Sequence, residues 1–278
     1  MKIVLFLLAA LCLCLLALGI LRFLDWRGDR QEWQRLAALQ PAAPPIYGSD
    51  RVAGLPDPAR RYFGFTIAEG TPLLPVAEID MGGRFSLGTK EAPNYQPMEA
   101  RQILAAPEGF VWSVRLRGGM PISGSDTGTW MRFRILGLVP VVRVGGTDDH
   151  RRSAFARFAA EAVFWSPAAL LPGPGVTWSE LDEDTARVTL RRGDLEQAVD
   201  VTVDAEGRPL HVSMQRWTDA NPEKVHRLQP FGGYLSDFRE VGGYRLPFRV
   251  EAGNMFGTDA YFPFFLAEVT DIRFPPPE

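Results

Sequence analysis

Apolar and polar side chains trade places every second residue through much of this chain, and that rhythm limits the fold more than any other feature. Ile79, Met81, Gly83, Phe85 and Leu87 occupy alternate positions, with Asp80, Arg84 and Ser86 between them. Phe110, Trp112, Val114 and Leu116 alternate with Ser113, Arg115 and Arg117. The same pattern runs through Val188–Leu190, Val199–Val203 and Leu210–Met214. A period of two is that of a β-strand with one buried and one wet face, so the chain predicts an antiparallel sheet. The turns agree. Asp204-Ala205-Glu206-Gly207 and Glu240-Val241-Gly242-Gly243 each join two alternating runs as a hairpin. Near the end Ala267 and Val269 alternate, but Ile272 and Phe274 fall out of phase. One extra residue near Thr270 repairs the pattern and predicts a β-bulge there. The tally is about ten strands. No βαβ spacing and no glycine-rich phosphate loop accompanies them, which argues against a nucleotide fold.

One helix interrupts the strands. Thr147-Asp148-Asp149 supplies a cap and negative charge at a helix start. Phe155, Phe158, Ala162 and Trp165 then recur on one helical face. Arg157 and Glu161 stand four apart, as a surface pair or, inside a pocket, as buried charge. Pro167 limits the helix, and Ala168–Leu171 has room for one more turn. The expected fold is therefore mainly β, of the α+β class. It is a curved antiparallel sheet or half-barrel covered by one aromatic-faced helix, which either completes the core or roofs a cavity.

The amino-terminal end is of another kind. Ile3 to Leu21 is an uncharged, almost wholly apolar run of 19 residues between Lys2 and Arg22. Roughly 20 such residues cross a bilayer core as a helix. The run is long for the apolar part of a cleaved signal peptide, and Ala17-Leu18-Gly19 is a poor cleavage site. Residues 1–24 read as a transmembrane anchor and single-pass membrane localisation follows. Residues 25–45 read as a juxtamembrane helix, with Trp26 and Trp33 at headgroup level, and a Pro-rich linker at Pro41–Pro45. Residues 46–278 read as one soluble β-rich domain. Orientation has two readings. Arg22, Arg27, Arg30 and Arg35 favour a cytoplasmic domain by the positive-inside count. Lys2 before an apolar run resembles an export signal-anchor, which places the domain outside the cytoplasm.

Composition narrows the function. The net charge of −3 lacks the basic surplus of a nucleic-acid binder. Three histidines and two cysteines, Cys12 and Cys14 both inside the apolar run, leave little for a metal site or a disulfide framework. No cofactor and no metal is expected.

Several blocks resemble a family of functionally uncharacterised bacterial membrane-anchored proteins. They are Leu55-Pro56-Asp57-Pro58 with Arg61-Tyr62, Pro107 to Trp112, Gly124-Ser125-Asp126, and Ala160-Glu161 through Trp165-Ser166-Pro167, Leu170-Leu171-Pro172 and Trp178. The resemblance runs from about Leu55 to the end and implies no catalytic residue, because that family's activity is not established. The order of strands around Asp204–Gly207 and Phe238–Pro247 is also similar to the carboxyl-terminal half of lipoprotein-carrier (Lol-type) half-barrels. That likeness implies an acyl-chain site between a curved sheet and helical lid elements. Fold alone does not settle function.

Reactive groups are sparse. Asp126-Thr127-Gly128 matches the aspartic-protease tripeptide, but that chemistry needs a second acid and only one triplet is present. Asp148, Asp149 and His150 form an acid–base candidate where helix capping also explains them. His211 and His226 have no partner at zinc-like spacing. Phe256, Tyr261, Phe262, Phe264 and Phe265 are dense enough to line a cavity mouth, touch a bilayer interface or pack a core. Three functional readings follow. The first is a membrane-tethered, non-enzymatic binding protein for a lipid-like or other apolar ligand. Its site would comprise Trp112, Trp130, Phe133, Phe155, Phe158 and Trp165, with Arg61, Arg115 or Arg132 as a headgroup anchor. The second is a hydrolase-like enzyme using Asp126 or Asp148/His150. The third is a structural module of an envelope complex, with no cavity and an unknown protein partner.

Overall fold

The computed structural model describes residues 1–276. It contains three α-helices, two short 3₁₀ turns and thirteen strands, more than the ten or so expected. The helices are α1 (Lys2–Ala37), α2 (Asp57–Thr66) and α3 (Asp148–Trp165). A first run of strands comprises β1 (Val76–Ser86), β2 (Tyr95–Ala105), β3 (Gly109–Leu116), β4 (Ile122–Thr127), β5 (Trp130–Ile135) and β6 (Val139–Gly145). A second comprises β7 (Val176–Glu180), β8 (Thr185–Arg192), β9 (Leu195–Val203), β10 (Pro209–Thr218), β11 (Arg227–Val241), β12 (Tyr244–Asn254) and β13 (Phe262–Arg273). Sequence reading named no run over β2, β7 or β4–β6, and the last three are the least regular. Those are six or seven residues long, and arginines, glycines and serines occupy positions an apolar alternation would fill.

All thirteen strands share one antiparallel sheet, ordered β6-β5-β4-β3-β2-β1-β13-β12-β11-β10-β9-β8-β7. Two meanders thus meet in the middle, where β1 pairs with β13. The bulge falls where the phase break predicts. Asp80 pairs with Asp271 and Met81 with Val269, which leaves Thr270 unpaired. Gly242 and Gly243 form the β11–β12 turn with φ of 59° and 89°, the left-handed pair that suits a two-residue hairpin.

The connection from β6 to β7 joins opposite edges of the sheet, and α3 makes it. Twelve strand spacings of about 4.8 Å come to about 58 Å if laid flat. An 18-residue helix is about 27 Å long. The crossing closes because the sheet curls around α3, which packs on strands of both meanders, among them β2, β3, β9, β10 and β12. Thr147 caps the helix by accepting from the His150 amide, and Pro167–Leu170 adds the extra turn.

A second helix on the concave face escaped sequence reading. In α2 Pro56 and Pro58 bracket the start and Asp57 supplies first-turn charge. Arg61 donates to Asp57 and Asp184, and to the carbonyls of Glu183 and Asp204, so it clamps two hairpin turns. Tyr62 is fully buried and donates to the Val163 carbonyl of α3 at 2.6 Å. Trp178 packs on Tyr62 and Phe63 and donates to the Leu170 carbonyl.

Helix α1 runs unbroken through the boundary near residue 24. Its apolar half, residues 3–21, is exposed almost throughout, and it is long and apolar enough to cross a membrane by length and composition. Its second half packs on the convex face. Leu36 is fully buried against Val76, Ile103, Ala105 and Val111, with Trp33 beside them. Trp33 donates to Glu78 at 2.7 Å. Asp29 accepts from Ser125 and Trp130. Asp25, only 3% exposed, meets Arg132 at 3.3 Å, Arg143 at 2.7 Å, and Arg134.

Candidate functional site

Between α3 and the concave sheet lies an apolar cavity of about 370 Å³. That is within the range of small-molecule pockets. Its walls come from both meanders, with Trp112, Phe133, Phe164, Trp165, Phe231 and Phe265 among them. Alternation explains the apolar walls: every second residue of β3 turns inward, from Phe110 to Leu116. Leu87 and Val141 also line the cavity, and each is nearly half exposed, so the space opens to the outside near them. Those residues stand at the end of the first meander that carries the β1–β2, β3–β4 and β5–β6 turns. Helix α3 meets strand ends remote from these turns: His150 Nε2 lies 3.0 Å from the Thr127 carbonyl, and Ser166 donates to the Pro75 carbonyl.

The helix presents only the Trp165 end of its aromatic stripe to this space. Phe155 and Phe158 pack edge-on to each other in the solid core, and Phe158 touches Phe110. The cavity side of α3 is Arg157, Ala160, Glu161, Phe164 and Trp165. Trp165 belongs to both, and its indole donates to the Pro247 carbonyl.

The Arg157–Glu161 pair lies inside the fold. Arg157 donates to Glu161 at 2.7 Å and to Asp126 at 2.8 Å, and its guanidinium stacks over Phe110 and Trp112. Gln102, fully buried, donates to Glu161 at 2.6 Å and accepts from Arg157 at 3.3 Å. Burial pulls the Arg157 pKa down, but Glu161 and Asp126 more than restore it and the net direction is up. Arg216 of β10 also lines the cavity. Among the described residues it makes a long bond from Nη2 to the Ser153 hydroxyl, 3.3 Å, and meets the face of Phe231. Burial, then the neighbouring Arg157 charge, lowers its pKa to about 10. Its Nε and the Trp112 Nε1 are buried with no acceptor among the described residues.

Of the residues that sequence reading nominated, Trp112, Phe133 and Trp165 line the cavity, while Phe155 and Phe158 belong to the packed core. Trp130 faces α1 on the convex side, with Arg132 stacked over it at 4.3 Å. Arg115 is exposed and next to inward-facing Val114 and Leu116, so strand alternation points it away from the cavity. Arg61 and Arg132 have carboxylate partners. Arg157, Glu161 and Arg216 complete the polar wall. For Arg216 the signal was faint: a charge in phase with Val212 and Met214, the inward face of its strand.

The acid–base candidates do not converge. Asp126 is held by Arg157. Asp148 pairs with Arg151, Asp149 accepts from Trp217 at 2.7 Å, and His150 turns to the Thr127 carbonyl. No group of three or more metal-ligating side chains occurs among the described residues.

No match was found among curated proteins. Among solved structures, a LolA superfamily protein from Nitrosomonas europaea is similar at 10% identity, with 78% of this chain and 91% of that chain covered and a TM-score of 0.42. A domain assigned to outer-membrane lipoprotein sorting from Vibrio parahaemolyticus is similar at 10% identity, with 72% and 85% covered and a TM-score of 0.37. Residues 45–266 match a family of unknown function, DUF6544, and the chain belongs to that family.

Proposed function

We propose that this protein is a membrane-tethered, non-enzymatic binding protein for a lipid-like or other apolar ligand, held between α3 and the concave sheet. The observation that carries the reading is the cavity itself. It is walled by aliphatic and aromatic side chains and open near Leu87 and Val141. Apolar pockets with a few polar groups are what such ligands occupy. A packed scaffold would have interdigitated there.

The anchor is the exposed apolar half of α1, and the domain sits outside the cytoplasm as a signal-anchor arrangement would put it. The second half of α1 fixes how the domain stands on its tether. A Cβ at Gly137, in the β5–β6 turn, would lie 2.9 Å from Arg22 Nη1, so the end of the apolar run rests against that turn. The same rim exposes Leu136 (67%) and Met120 (58%). Apolar side chains at that level suit a bilayer interface, so the cavity mouth faces the membrane.

The test is binding of a fluorescent long-chain acyl probe to the delipidated full chain held in amphipol. The wild type is expected to bind saturably. Val212→Trp and Ala160→Phe, which fill the cavity, are expected to weaken binding at least about tenfold with circular dichroism unchanged. A wild-type protein that fails to bind, or filled variants that bind equally well, would exclude the cavity as the site.

A further inference from the structure

The polar wall has an uneven charge distribution that the apolar reading does not use. Arg157 is fully engaged, with a carboxylate on each side and Gln102 beneath. Both acids of the cavity, Asp126 and Glu161, are directed to it. Arg216 has no carboxylate within hydrogen-bond reach among the described residues. Its Nε is sealed from solvent without an acceptor, and the indole Nε1 of Trp112 on the same cavity is a second idle donor. With its pKa near 10, Arg216 stays cationic at neutral pH. Asp126 and Glu161 act on it only at a distance, a largely desolvated guanidinium without a bonded counter-ion is costly, and buried donors are normally bonded. Beyond Arg157, Asp126 and Glu161, the cavity surface on which this one is placed is apolar. Arg216 lines the cavity and keeps part of its surface open, so an incoming acceptor would meet it there, and guanidinium suits anionic oxygens in particular.

We infer that the cavity takes an amphiphile with an anionic oxygen head, and that Arg216 receives the head while the tail extends toward the mouth at Leu87 and Val141. This rests on the apolar-ligand reading and adds the class of head group to it. The head binds at the Arg216 side of the cavity, beside α3. Arg157 takes no direct part; it holds Asp126 and Glu161, which would otherwise repel the incoming anion.

The experiment compares four ligands of one chain length on the delipidated full chain in amphipol: a fatty acid, a fatty alcohol, its methyl ester and a lysophosphatidic acid. The wild type is expected to prefer an anionic head over both neutral ones by roughly ten- to hundredfold. The acid and phosphate arms decide which anion the site takes, and preference for either supports the proposal. Arg216→Gln is expected to erase the preference while leaving alcohol binding in place, and Arg216→Lys to keep part of it. Equal affinity for all four overturns the anionic head but leaves the apolar reading standing. Failure of all four overturns that reading itself. A preference that persists in Arg216→Gln overturns the assignment to Arg216. Should that variant fail to fold, a ¹³C-carboxyl-labelled acid bound to the wild type decides. Its carboxylate is expected to stay ionised to lower pH than in a micelle, and a carboxyl that titrates at higher pH than in the micelle overturns the proposal.

Discussion

Two helices cross the same sheet on opposite faces, and they are held by different physics. Helix α3 lies in the concave side among fully buried aromatics, with Trp165 and Phe155 at 2% exposure or less. The second half of α1 lies on the convex side through a small apolar contact at Leu36 and a row of ionic and hydrogen-bonded contacts at Asp25, Asp29 and Trp33. Removing α3 would remove the core. Removing the α1 seam would uncover a modest patch and leave the sheet's main interior intact. The contrast separates what makes the fold from what orients it. The curl of the sheet depends on α3, and the direction in which the apolar half of α1 leaves the domain depends on the α1 seam.

The sharpest way to break this comparison is on the α3 side. Phe158→Ala is expected to cost about 3–5 kcal/mol, because it opens a hole against Phe110 and Phe155; denaturant unfolding of the full chain measures it. A loss below about 1 kcal/mol would mean that α3 is a removable cover. Arg157→Met is expected to cost a comparable ~3–5 kcal/mol, because Asp126 and Glu161 would face each other without their shared cation. Adding Asp126→Asn and Glu161→Gln should recover most of that loss, and a triple variant no better than the single would refute the ionic account.

On the α1 side the expected effects are smaller and local. Asp25→Asn leaves Arg132, Arg134 and Arg143 together without their carboxylate. About 1–3 kcal/mol is expected, discounted because Arg143 is partly solvated. Hydrogen exchange should quicken over residues 25–37 while amides of β1 and β13 keep their protection. Loss of protection in both places would unite the two seams into one cooperative structure.

The smallest effect lies away from both helices. His211 packs against Tyr234 and Phe256, and burial holds its pKa below the ordinary 6.5. The unfolded chain therefore takes up a proton first as pH falls. Its contribution to stability is intact above about pH 6.5 and is lost as the pH falls through the lower, folded-state value. His211→Gln should flatten that part of a stability–pH curve, and an unchanged slope would assign it to other groups.

Much of the sheet was legible because its reporters are local. Alternation placed β3, β9 and β10, two hairpin turns placed their partners, and a phase break located the bulge at Thr270. The short strands β4–β6 were harder to read. Their arginines face α1 rather than water, so a charge on the convex face looked like a charge in solvent. Helix α2 was missed for its brevity, although Pro56-Asp57-Pro58 starts it in the expected way. The site was half legible. Trp112, Phe133 and Trp165 carry the in-phase apolar signal that points inward. The aromatic periodicity of α3 marked the helix's buried face, but burial has two forms, packed core and cavity wall, and period alone does not separate them. Which arginine stands inside the fold depends on contacts between residues as distant as Asp126 and Arg157, or Ser153 and Arg216, and no local pattern encodes that.

The meeting of β1 with β13 sets an order of events during synthesis. As the chain leaves the ribosome, Val76 to Ser86 emerges early, and its neighbour on one side arrives only with Phe262 to Arg273. Until then the first meander carries an unpaired edge, open to any other nascent strand. Strand β13 is the one that closes the middle of the sheet, so a chain halted before Phe262 would hold every cavity-lining residue of the first meander and lack the pairing that joins it to the second.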